Sequence, residues 1–131
     1  MWGINKKIDY GLELMLALAK SDGNKPTPLR QIARQRRLPY AFLAQLALVL
    51  KKAGLIKGKE GAKGGYYLAC PPDQITVTRA LSVLENFKEQ DCRQCRRLGF
   101  CRPHQIWQEV DNAVRRETDK KTLADLARTI A

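Results

Sequence analysis

The sequence predicts a mainly α fold carrying one short two-stranded β element, and three observations lead there. Apolar residues recur at three- and four-residue intervals through most of the 131 residues, the period of helices that bury one face. That pattern breaks between Gly54 and Ala69, where two short runs flank the glycine-rich Glu60-Gly61-Ala62-Lys63-Gly64-Gly65, the signature of strand, loop, strand. Just before the break, two short helical stretches are joined by Leu38-Pro39 alone, which makes them a helix-turn-helix. A helix-turn-helix followed by a two-stranded hairpin is a winged helix-turn-helix, and a long helix near the C-terminus completes the predicted architecture.

In chain order, Ile4 to Lys20 reads as the opening helix, with Ile8, Leu12, Met15, Leu16, Leu18 and Ala19 on a broad apolar face. Ser21 to Pro26 ends it. Thr27 is placed to cap the next helix, with Pro28 at its first position and Ile32 and Ala33 inward along Leu29 to Arg37. The third helix, Tyr40 to Ala53, repeats Leu43, Leu46, Ala47 and Leu50 at helical spacing and is stopped by Gly54. Leu55 to Lys59 and Tyr66 to Ala69 form the hairpin, and Cys70 at its end reads as a buried thiol. Thr76 to Asn86 is a further helix with Ala80, Leu81 and Leu84 inward. Beyond it, Ile106, Trp107, Val110, Ala113 and Val114 share one side of a helix reaching about Thr118, more apolar surface than docking one helix needs; it reads as a dimerisation helix. Thr122 caps the last helix with Asp125 three residues later, and Leu123, Leu126 and Ile130 turn inward. The whole is expected as one compact domain, residues 1–75 forming the DNA-binding region and 76–131 the loop and dimerisation helices.

Charge points to a polyanion. The chain carries 24 lysines and arginines against 13 acids, a net charge of +11, and the excess is uneven: +9 through Tyr66 and +2 thereafter. Concentrated on a helix-turn-helix and its wing, such a bias implies double-stranded DNA. Tyr40, Phe42 and Gln45 are expected to read base edges, while Arg30, Arg34, Arg36, Arg37 and Lys51 grip phosphates. Lys59, Lys63 and Gly64, in a hairpin whose glycines let it enter a groove, add wing contacts. No apolar run approaches the roughly eighteen residues of a membrane span, and the N-terminus lacks a signal-peptide cleavage pattern, so a soluble cytoplasmic protein is expected.

Three of the four cysteines and the one histidine fall between Cys92 and His104. Cys92 and Cys95 are separated by two residues, Gly99 lets the chain turn back to deliver Cys101, and Pro103 suits the first turn of a helix on which Cys101 and His104 share a face. Three thiolates and an imidazole suit zinc or an iron-sulfur cluster. Arg93, Arg96, Arg97 and Arg102 make the stretch too polar for core thiols, and they would offset a negatively charged centre. With the histidine so placed, no acid-base pair or nucleophile constellation stands out, and an enzyme is not expected.

The order of parts resembles the bacterial iron-sulfur winged-helix regulators of the IscR and NsrR type over nearly the whole chain. The resemblance is carried by Ile8-Asp9-Tyr10-Gly11, Phe42-Leu43-Ala44-Gln45-Leu46, Lys52-Ala53-Gly54-Leu55-Ile56, Gly64-Gly65-Tyr66 and Thr122-Leu123-Ala124-Asp125-Leu126. It implies a homodimer that binds a roughly palindromic DNA site, its affinity set by a 2Fe-2S or 4Fe-4S cluster sensing iron, oxygen, nitric oxide or redox state. By position it implies Cys92, Cys95 and Cys101 as ligands, with His104 in the IscR-like place for the fourth and Asp9, donated across the dimer as in NsrR-like members, as the alternative. The chain departs from that pattern in its close Cys92–Cys95 spacing, in Glu60 and Ala62 where IscR-like wings carry arginine and proline, and in Ala44 at a position often acidic. The alternative from another class is a zinc-stabilised structural or interaction module that senses nothing.

Overall fold

Leu14, Met15 and Leu18, on one face of one helix, are almost wholly withdrawn from water, and other helices and the hairpin pack against that helix. The computed structural model describes residues 6–21, 25–85 and 102–129, without the side chains of residues 102–104. In order come α1 (Lys6–Lys20), α2 (Leu29–Arg36), α3 (Tyr40–Lys52), β1 (Ile56–Lys59), β2 (Gly65–Leu68), a 3-10 turn (Pro72–Gln74), α4 (Val77–Leu84), α5 (Arg102–Thr118) and α6 (Leu123–Thr129). The architecture is the mainly helical winged helix-turn-helix that the sequence predicts.

The predicted inward set of α3, Leu43, Leu46, Ala47 and Leu50, is fully buried, and Ile32 and Ala33 of α2 join it. Truncating a leucine there to alanine costs about 2–5 kcal/mol. The same core takes in Leu55 and Ile56 from the wing, Ile75, Leu84 of α4 and Leu123 of α6. Gly11 is what lets α4 approach α1: a Cβ there would run into the Leu84 side chain, which is itself fully buried.

Two helix starts differ in how they are made. Thr76 caps α4 as an N-cap should, its hydroxyl accepting from the Arg79 N–H at 3.2 Å. Thr27 caps nothing. The N-cap of α2 is Pro28, and Thr27 instead pairs with Tyr66 of the wing, N–H to carbonyl at 2.8 Å and the reciprocal bond at 2.9 Å. Main-chain pairing has displaced the capping role that the Thr-Pro sequence suggests, and the hairpin gains a third strand-like edge.

The end of the chain follows expectation. The Asp125 N–H donates to the Thr122 hydroxyl at 3.3 Å while the Asp125 carboxylate accepts from the Thr122 N–H at 2.9 Å, a reciprocal capping box. Bonds from the Val77 N–H to the Lys121 carbonyl and from the Leu123 N–H to the Ile75 carbonyl, at 2.9 and 2.8 Å, stitch α6 to the start of α4. Leu126 packs against the core, half-buried, while Ile130 lies outside the described residues. Cys70, expected to be buried, is a half-buried free thiol.

Candidate nucleic-acid interface and cysteine loop

The turn between α2 and α3 is set by Arg37, which adopts the left-handed conformation (φ 55°, ψ 48°) that ends α2, after which the Leu38 N–H returns to the Ala33 carbonyl at 2.9 Å. Pro39 then opens α3 as its N-cap. From this turn a chain of contacts runs round the basic surface. The Arg30 guanidinium of α2 lies 4.5 Å above the Tyr40 ring at the start of α3. At the other end of α3, the Lys51 ammonium lies 3.8 Å from where a Gly58 Cβ would stand on β1, and the Tyr66 ring of β2 comes within 3.3 Å of the same point. Tyr66 leads back to Thr27 and the root of α2. α3, α2 and the wing thus brace one another beside the exposed cations.

Pairing of Lys57 with Tyr67 and of Lys59 with Gly65 in the antiparallel hairpin puts Ile56 and Gly58 on one face and Lys57 and Lys59 on the other. At the tip, Gly64 is buried against its own turn: its N–H donates to the Gly61 carbonyl at 3.0 Å, and a Cβ there would strike the Lys59 carbonyl. Gly65 (φ 145°) has the same role toward Thr27 and Pro28, which leave no room for a side chain. Arg30, Arg34, Arg37, Tyr40, Gln45, Lys51, Lys59 and Lys63 are all exposed.

Three residues in the expected DNA-contacting set are otherwise engaged, Gly64 by its burial in the hairpin turn. Arg36 turns toward α1, where its guanidinium donates to the Glu13 carboxylate at 3.2 Å. The Phe42 ring is half-buried, edge-on to Tyr10 at 5.6 Å and 81°. Both lock α1 to the helix-turn-helix. Their partners lie 23 and 32 residues away in sequence, which helical periodicity does not reveal. What sequence reading passed over is Leu48, exposed on α3 although large and apolar. A helical wheel exposes it: positions 41, 45, 48 and 52 lie opposite the buried 43, 46, 47 and 50.

The proposed metal ligands Cys92, Cys95 and Cys101 lie outside the described residues, as does the His104 side chain, though the His104 backbone occupies the first turn of α5 together with Pro103. Among the described residues no group of three histidines, cysteines or acids could hold a metal. Asp9, in the first turn of α1, is exposed. From Gln105 onward no residue of α5 is buried; Ile106 and Trp107 are 59% and 51% exposed, and Val110 and Val114 are half-buried along the same side. The Thr78 and Thr118 hydroxyls, 2.5 Å apart, join α4 to the far end of this helix.

A winged helix-turn-helix with a braced basic face defines the class: a DNA-binding regulator of transcription. Comparison with known proteins fixes the family. Residues 4–129 match the family described as "Rrf2: Iron-dependent Transcriptional regulator", and the chain belongs to it. It is 37% identical over 129 residues to the HTH-type transcriptional regulator CymR of Bacillus subtilis, covering 95% of this chain and 88% of that one. It is also similar to the HTH-type transcriptional regulator IscR of Aliivibrio salmonicida, at 28% identity with 94% and 76% covered. Among solved structures, the IscR of T. potens superposes with a TM-score of 0.81 at 34% identity, covering 99% of this chain and 89% of that one. The B. subtilis CymR structure, described as that of a global cysteine regulator, gives 0.79 at 34% identity with both chains fully covered. The relatives thus include both regulators named IscR and one described as a global cysteine regulator.

Proposed function

We propose that the chain is a cytoplasmic, homodimeric transcriptional regulator whose grip on a palindromic operator is controlled by an iron-sulfur cluster, held by Cys92, Cys95 and Cys101 with His104 as the fourth ligand. The donor set carries this reading: three thiols and one imidazole within thirteen positions match the needs of a cluster, and His104, three positions after Cys101 in sequence, lies on the opening turn of α5. When bound, the cluster supplies a redox-responsive centre whose ligands hold the loop between α4 and α5. The protein's own residues do the rest. Arg30, Arg34, Arg37, Lys51, Lys59 and Lys63 meet phosphates, Tyr40 and Gln45 face base edges, and α5 pairs through Ile106, Trp107, Val110 and Val114 with its copy. The state of that centre would set how the two α5 helices, and so the two DNA-reading heads, are disposed. Asp9, exposed in the first turn of α1, is the alternative fourth ligand, donated across the dimer.

Similarity to a global cysteine regulator favours a second reading of the signal, in which sulfur status is sensed without iron. One experiment separates the readings. Protein purified without oxygen is expected to be coloured, to contain iron and sulfide in equal amounts, and to lose both with Cys95→Ala; DNA affinity is expected to differ with and without the cluster. Colourless, iron-free protein that binds its operator equally well before and after cluster reconstitution would exclude iron sensing, and stoichiometric zinc without visible absorption would assign a structural metal. Loss of iron in His104→Ala but not Asp9→Ala would identify the fourth ligand.

A further inference from the structure

The outward face of α3 is less polar than a helix meant for phosphates alone. Ala41, Gln45, Leu48 and Lys52 fall within about 60° of one another at 100° per residue, diametrically opposite the buried Leu43, Leu46, Ala47 and Leu50. All four are exposed, and Leu48 is 54% exposed. Scattered single leucines on a surface need no explanation. Leu48, however, sits at the centre of the strip that a helix-turn-helix presents to the major groove, in line with a methyl group and a carboxamide and flanked by Lys51 and Lys52. The major-groove edge of a base pair offers one apolar group, the thymine methyl, and the hydrogen-bonding pair that suits a glutamine amide is the N6 and N7 of adenine.

Resting on the reading of the chain as a DNA-binding regulator, we infer that Leu48 is a specificity-determining residue that packs on thymine methyl groups, with Ala41 contributing a second apolar contact and Gln45 reading an adjacent adenine. Each operator half-site therefore carries an A·T-rich step under α3. Lys51 and Lys52 supply the electrostatic attraction that holds the strip in the groove, so that occupancy is set by charge and base choice by the apolar side chains. A protein partner seated on the same strip would have no use for cations on either side of it unless acidic, and the flanking lysines favour the polyanion already implied by the +11 net charge.

The test begins with selection of binding sites from randomised duplexes by the full chain, followed by replacement of each selected thymine with deoxyuridine, which removes the methyl and keeps base pairing. At one or two thymines per half-site the change is expected to weaken binding about fourfold per methyl. Leu48→Ala, at an exposed position that leaves the fold intact, is expected to weaken operator binding about tenfold and to abolish the deoxyuridine effect, while binding to random-sequence DNA stays the same. Selected sites lacking A·T pairs under α3, or a deoxyuridine effect of equal size in Leu48→Ala, would overturn the assignment while leaving the DNA-binding reading in place. Failure to select any sequence would overturn that reading itself, and capture of an acidic protein through the strip, with DNA binding indifferent to Leu48, would assign the surface to a partner.

Discussion

Replacing Trp107 tests whether α5 joins two subunits. About half of this side chain is exposed, and a fully covered tryptophan buries about 150–250 Å², so pairing would cover roughly 100 Å² more. At about 25 cal/mol per Å² that is some 2.5 kcal/mol per subunit. Two-fold symmetry places the residue in the interface twice, and Trp107→Ala therefore forfeits up to about 5 kcal/mol, a 10³- to 10⁴-fold rise in the dimer dissociation constant. Trp107→Glu adds the cost of desolvating two carboxylates and is expected to leave a monomer at all working concentrations. Light scattering and sedimentation over a concentration series read the change, with far-UV circular dichroism confirming that the helix persists. A Trp107→Glu protein that remains dimeric with an unchanged dissociation constant would refute the assignment of this face to the subunit contact.

Three further outcomes follow from packing and charge. Gly11→Ala gains about 1 kcal/mol of helix propensity but forces a methyl into the buried Leu84 side chain, so a net loss of about 1–2 kcal/mol is expected in urea denaturation; in a Leu84→Ala background the loss should vanish, and simple additivity of the two changes would contradict the close approach. Hydrogen bonds from Thr122, aided by Arg128, hold the Asp125 carboxyl below its ordinary value of 3.8, so its contribution is complete above about pH 4 and fades as pH falls through the lower folded value. The stability difference between the native chain and Asp125→Asn should accordingly be constant near neutrality and shrink towards pH 3, and a pH-independent difference would sink the capping-box account. In DNA binding, Lys59→Ala or Lys63→Ala should each reduce the slope of log affinity against log salt by about 0.9 per subunit, whereas Arg36→Ala, whose guanidinium is committed to Glu13, should leave the slope unchanged.

Where local chemistry decides structure, the sequence was legible. The leucine spacing of α3 placed its buried face, Gly54 (φ 80°) ended that unit, and Thr122 with Asp125 announced α6. Misreadings arose where a distant segment competes for the same group. Thr27 has a good capping side chain, yet its main chain is claimed by Tyr66, 39 residues on. Arg36 and Phe42 have the right residue types for DNA, yet Glu13 and Tyr10 hold them. Leu48 escapes a search for inward faces because it lies on the side of α3 opposite the buried leucines. The cysteine run was legible as a donor set by composition and spacing, which say what can bind metal but not how the sulfurs are arranged.

The pairing of Thr27 with Tyr66 restricts how any signal can act on DNA. Because the hairpin is sewn to the root of α2, and α2 is stacked on α3 through Arg30 and Tyr40, the wing has no hinge of its own. In the proposed dimer each head would travel as a unit, so regulation would alter the distance and phase between the two halves of the operator rather than the fit within either half. Inserting or deleting a single base pair at the operator centre should then mimic the change of state, while base substitutions inside a half-site should affect both states alike.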